Sequence, residues 1–144
     1  MRPFLPSVAR LVDAGDAVPL FLGRVSAGPP LPVEADLYDV VALADLLGME
    51  GTSYVVRAEG FSMSGAGISP GDALVVNTEA PPRDGDVVVA VVGGEFTVKR
   101  ARVSAGDVWL EPSTGGFDPI PVRPDADDVA VWGVVATVVR SLKR

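Results

Sequence analysis

From residue 54 onward, apolar and polar positions alternate in short runs, and glycine, proline or aspartate interrupts each run. A period of two over four to ten residues is the signature of a half-buried strand. The pattern predicts strands over 54–58, 73–76, 86–92, 95–103, 108–111, 120–122 and 129–139. Gly93-Gly94 between two runs marks a two-residue hairpin turn. Ser69-Pro70-Gly71-Asp72 reads as a turn, and Gly133 is expected to bend or bulge the last, long strand. Just before the alternation begins, Val40, Leu43, Leu46 and Leu47 keep a helical spacing. Asp39 stands where a cap belongs and Gly48 where a helix ends, so one short helix is expected there. Residues 1–38 differ from the rest. Prolines at 3, 6, 19, 29, 30 and 32 forbid long helices and disfavour interior strands. The run Gly28-Pro29-Pro30-Leu31-Pro32 reads as extended. This part is expected to be an arm, with Phe4, Leu5, Leu20, Phe21 and Leu22 apolar enough to dock.

Composition narrows the class. A chain of 144 residues with 48% hydrophobic residues can bury one core, and global disorder is excluded. The net charge of −7 argues against a nucleic-acid surface, which needs clustered Arg and Lys, and against acidic membranes. The longest apolar run, 129–139, is shorter than the roughly 20 residues a membrane helix needs. Val25-Ser26-Ala27 has the look of a signal-peptidase site. However, Arg10, Asp13 and Asp16 interrupt the apolar run that a leader requires, so secretion is not expected. The absence of cysteine agrees with a reducing, cytoplasmic setting. The acidic cluster Asp125, Asp127 and Asp128 lacks a calcium-loop spacing and reads as a solvated turn.

The candidate chemistry emerges by elimination. The chain contains no histidine and no cysteine, which excludes a Ser-His-Asp triad, a Cys-His dyad and ordinary zinc sites. Any nucleophile must take its base from a lysine, a carboxylate or a terminal amine. A lysine serves only when neutral, and burial supplies that state, whereas arginine stays protonated. Of twelve basic residues only Lys99 and Lys143 are lysines, and Lys143 lies in the basic tail 140–144. Lys99 falls within a predicted strand. Strand alternation alone puts it on the polar face with Glu95 and Thr97, as an ordinary solvent-facing lysine. Ser62 follows Gly60-Phe61, but by composition Ser53, Ser64 and Ser69 are equally good loop serines. Ala27-Gly28 is a small-residue bond of no distinction by itself. Residue types and spacing permit a Ser-Lys mechanism without selecting it.

A resemblance selects it. From about residue 19 to the end, the chain resembles the LexA/UmuD-like self-cleaving serine peptidases. The stretches that carry the likeness are VRAEGFSM (56–63), GISPGDALVV (67–76), GDVVVA (85–90), GEFTVKR (94–100) and VWGVV (131–135). Their order and spacing agree with the family, including the 37 residues from Ser62 to Lys99. The resemblance implies a mostly β, LexA/signal-peptidase-like fold of several coiled sheets, with one short N-terminal helix and an extended arm. It divides the chain into an arm over 1–38 that holds the cleavage site and a peptidase domain over 39–144. It makes Ser62 the nucleophile, Lys99 the general base, the Ser62 amide an oxyanion donor and Ala27-Gly28 the scissile bond. It implies no cofactor and no metal.

Within the family, the short, proline-broken stretch ahead of Ala27-Gly28 suggests the UmuD-like branch, with no DNA-binding domain and no sequence-specific DNA contact. The partners implied are a second copy, a RecA–single-stranded DNA filament that stimulates cleavage, and a UmuC-like Y-family polymerase joined by residues 28–144. Two further readings stand beside it: a non-catalytic interaction module and a truncated phage-type repressor. Phe61 departs from the acidic residue or methionine common in the family, and Ala27 follows the LexA rather than the best-known UmuD choice.

Overall fold

A computed structural model describes residues 17–21, 27–29, 38–60, 63–111, 118–126 and 128–143. The chain falls into two units, residues 1–47 and 48–144.

In the first unit, β1 (Ala17–Phe21) pairs antiparallel with β2 (Tyr38–Ala42) in a two-stranded ribbon. A four-residue helix, α1 (Leu43–Leu46), follows directly. One element was not expected, and one expectation is corrected here. The arm contains a strand, and Pro19 lies inside it, opposite Val40. A ribbon of two strands consists of edges alone, which is where a residue lacking an N–H is tolerated. The helix is also shorter than its apolar spacing suggested. Asp39 belongs to β2, its carboxylate accepts the Val40 N–H at 2.7 Å, and Ala42 stands at the helix start without a side-chain cap. The β-branched pair Val40-Val41 favours the pleated ladder over the first helical turn.

The second unit is one seven-stranded antiparallel sheet in the order β3-β4-β9-β5-β6-β7-β8. The strands are β3 (Ser53–Arg57), β4 (Ala73–Asn77), β5 (Val87–Val92), β6 (Glu95–Ser104), β7 (Asp107–Glu111), β8 (Ile120–Val122) and β9 (Val129–Val139). The mostly β expectation is met, and each strand read from the alternation is present to within a residue or so at its ends. Gly93 and Gly94 both have positive φ, 58° and 84°, as a tight hairpin turn between right-twisted strands requires.

β9 joins the halves, with β4 on one side and β5 on the other. Its register slips once on each side, leaving Trp132 and Ala136 as extra residues. The irregularity expected at Gly133 is therefore present, and close approach explains the glycine. A Cβ there would meet Val76 Cγ1 at 2.6 Å and the Asn77 carbonyl oxygen at 2.9 Å.

Partners directly opposite in an antiparallel ladder share a face, so the sheet carries two apolar clusters. One holds Ala58, Met63, Ile68, Leu74, Val76 and Val89, with Val98 and Trp132 packed against it. The other holds Val88, Ala90, Ala101 and Leu110, with Val108, Ile120 and Val134 against it.

Candidate active site

The connection from β3 to β4, residues 58–72, leaves two directly paired strands and needs anchors of its own. Its base is closed by two backbone bonds, Ala58 N–H to the Asp72 carbonyl at 2.9 Å and Gly71 N–H to the Ala58 carbonyl at 2.8 Å. Arg57 Nη1 adds a bond to the Gly71 carbonyl at 2.8 Å. Further out, Met63 is buried and its carbonyl accepts the N–H groups of Ala66 and Ile68 at 2.9 and 3.2 Å. This closes a 3-10 turn over Ser64–Ala66, and Gly67 ends it in the left-handed conformation, φ 85°. Ser62 and Phe61 lie outside the described residues. Met63, which follows Ser62 in the chain, is the fixed point beside them.

Lys99 sits in β6 directly opposite Val88 of β5, which is fully buried. One file of β6 grades inward: Glu95 is exposed, Thr97 and Lys99 are half-buried, and Ala101 is fully buried. Alternation had put Lys99 on a polar face. The neighbouring strands instead cover that face progressively from Glu95 toward Ala101. Among the described residues no carboxylate forms an ion pair with Lys99. Its neighbour Val98 points to the other face and packs against the cluster that contains Met63.

Of the rival serines, Ser53 is engaged locally, its hydroxyl donating to the Glu50 carbonyl at 2.9 Å. Ser69 belongs to the turn that ends at Asp72, donating its N–H to the carboxylate at 2.7 Å. Ala27 and Gly28 are exposed bend residues of the first unit. Among the described residues no cluster of His, Cys, Asp or Glu suits a metal ion, and no helix is long and apolar enough to cross a membrane.

The sequence reading missed a two-pronged ion pair in the second unit. Asp72 is 2% exposed, and Arg140 approaches it with two prongs. Arg140 Nε donates to Oδ1 at 2.7 Å and Nη2 to Oδ2 at 2.6 Å. With the Ser69 N–H this satisfies the buried carboxylate, as burial demands. The Arg140 hydrogen bonds hold the Asp72 carboxyl down at about 2, with Ser69 contributing and burial opposing. By sequence alone Arg140 reads as part of a basic tail and Asp72 as the end of a turn.

Comparison with known proteins agrees with this architecture. The chain is 39% identical to a LexA repressor of Mycobacterium sp. (strain KMS), over 98% of this chain and 62% of that protein. It is also 39% identical to the LexA repressor of Mycobacterium tuberculosis (strain ATCC 25177 / H37Ra), over 96% of this chain and 58% of the relative. The LexA repressor of Mycobacterium leprae (strain Br4923) is 37% identical over 95% of this chain. The chain thus spans about three-fifths of the length of these relatives. They are named repressors, so they point toward LexA rather than the UmuD-like branch, and they do not support the expectation of no DNA contact. The Peptidase S24-like family matches residues 19–136, and the chain belongs to that family.

Proposed function

We propose that the chain is a self-cleaving Ser-Lys peptidase acting at its own Ala27-Gly28 bond. Ser62 Oγ attacks the Ala27 carbonyl carbon while its proton passes to the neutral Lys99 amine. The Ser62 amide N–H steadies the oxyanion that forms. As the C–N bond breaks, the Lys99 ammonium returns the proton to the Gly28 nitrogen, leaving Ala27 esterified to Ser62. Lys99 then takes a proton from water, the ester is hydrolysed, and Ser62 is restored. The observation that carries this reading is the position of Lys99. It is the one lysine within the sheet, half-buried opposite a fully buried valine.

The regulatory setting follows the relatives' name: cleavage that switches a repressor-type protein. By resemblance, the stimulus is a RecA–single-stranded DNA filament, which favours the conformer with the arm in the cleft. A homodimer is part of the reading, with the exposed Val138 and Val139 at the end of β9 as its candidate contact. The UmuD-like alternative differs in one outcome: its product, residues 28–144, binds a UmuC-like Y-family polymerase.

The test is self-cleavage of the purified protein from pH 7 to 11. A base that acts only in its neutral form predicts a rate that rises with pH. The new N-terminus should be Gly28, and Ser62→Ala or Lys99→Ala should abolish the reaction. A chain that stays whole at every pH, even with RecA filament, supports the non-catalytic interaction module instead.

A further inference from the structure

The register between β4 and β9 pairs Ala73 with Val139. The next step of that ladder brings Asp72 level with Arg140, and the side chains take over where the backbone pairing ends. We propose that Arg140 is a positioning residue for self-cleavage, fixing the 58–72 connection from the far end of β9 and thereby setting where Ser62 is presented. The inference rests on the reading of Ser62 as nucleophile.

One atom ties the pieces together. Arg140 Nη2, besides its bond to Asp72, donates to the Gly67 carbonyl at 3.0 Å. Gly67 N–H donates to the Ser64 carbonyl at 3.0 Å, and Ala66 N–H to the Met63 carbonyl at 2.9 Å. Two successive hydrogen bonds therefore run from β9 to Ser64, and the parallel Ala66–Met63 bond closes the same turn next to the residue after Ser62. The other end of the connection is held by the same aspartate, whose backbone carbonyl takes the Ala58 N–H. Arg140 thus holds the segment at its middle, Gly67, and at its end, Asp72. A planar guanidinium can reach two carboxylate oxygens and a carbonyl together, whereas an ammonium keeps the charge but not the fork. The Arg140 side chain is 43% exposed, so it bridges the rim of the sheet rather than filling the core.

The test compares first-order self-cleavage from pH 7 to 11 in the wild type, Arg140→Lys and Arg140→Ala, with melting temperatures measured alongside. Arg140→Lys keeps a cation beside Asp72 and should remain folded. It should cleave about 10- to 100-fold more slowly at every pH, with the profile's shape unchanged, as loss of orientation rather than of the base dictates. Millimolar guanidinium should restore part of the rate to Arg140→Ala without raising its melting temperature, and none to Lys99→Ala. If Arg140→Ala fails to fold, Arg140→Lys decides. Wild-type rates in a folded Arg140→Lys, beside a wild type that cleaves, overturn the positioning role. A wild type that never cleaves overturns the Ser-Lys reading, and this inference with it.

Discussion

Two connections in the same sheet solve the same problem in opposite ways. β5 and β6 are joined by Gly93-Gly94, two residues whose positive φ angles close the hairpin with nothing brought from elsewhere. β3 and β4 are also direct antiparallel partners, yet fifteen residues, 58–72, separate them. That longer connection is held by buried Met63 and Ile68 and by an arginine 68 residues beyond Asp72. The first connection is a turn and carries no candidate chemistry. The second flanks the candidate nucleophile and borrows its rigidity from distant parts of the chain. Functional segments tend to be loops positioned by a rigid scaffold, and here the scaffold extends side chains into the loop.

The largest expected effect separates the two cores beneath these connections. Leu74 and Leu110 are both fully buried, Leu74 with Met63 and Ile68, Leu110 with Val88 and Ala101. Truncation of either to alanine should cost about 2–5 kcal/mol in urea unfolding. The comparison is sharpened by activity in the fraction that remains folded. Leu74→Ala removes packing beneath the 58–72 connection and should slow self-cleavage. Leu110→Ala should alter stability with a smaller effect on the rate. Equal rate losses in both variants would show that the long connection does not depend on its own cluster.

Much of the sheet was legible because its rules are local. Alternation located β8 and β9 without error, and the paired glycines located the β5–β6 turn. The errors arose where a partner far along the chain decides the outcome. Val40, Leu43, Leu46 and Leu47 satisfy a helical period, but pairing of residues 38–42 with 17–21 claims Val40 for a strand. Pro19 argued only against an interior strand, and a two-stranded ribbon has none. At the site, residue type and the absence of histidine left Lys99 as a permitted base, and only the resemblance selected it. Its half-burial follows from the neighbouring strands, which alternation within β6 cannot report. The Asp72–Arg140 pair left no local signal, since an aspartate after glycine and an arginine near a chain end are both ordinary.

A smaller effect tests that long-range brace through acidity. The folded Asp72 carboxyl sits near 2 against an ordinary value of 3.8, because Arg140 and the Ser69 N–H favour the charged form. The folded state therefore binds protons less readily than the unfolded chain. Its advantage is complete above the ordinary value and is lost as pH falls from about 4 toward 2. Glu79, lowered by its bonds to Thr52, adds to the same acid limb. Urea midpoints measured from pH 6 to 2 should fall steeply in the wild type. The fall should be shallower in Asp72→Asn, with the Glu79 share remaining. An unchanged acid limb in Asp72→Asn would mean that the pair does not contribute to folding.

The smallest effect belongs to the local kind of connection. β6 and β7 turn through Ala105-Gly106, with φ angles of 52° and 83°. Both values belong to the left-handed region that tight hairpin turns require, and Gly106 adopts it freely. Ala105 is the one non-glycine residue with positive φ among the described residues. An alanine held there costs about 1 kcal/mol, because its Cβ crowds the following carbonyl. Asparagine tolerates the conformation and completes the Asn-Gly pair that such turns favour. Ala105→Asn should therefore stabilise the protein by roughly 0.5–1 kcal/mol, seen as a higher urea midpoint with an unchanged slope. Among the described residues the turn shares no hydrogen bond with the 58–72 connection, so the self-cleavage rate should stay at the wild-type value. A rate that moved with this substitution would mean that the hairpin end of the sheet and the braced loop are coupled, and the contrast between them would fail.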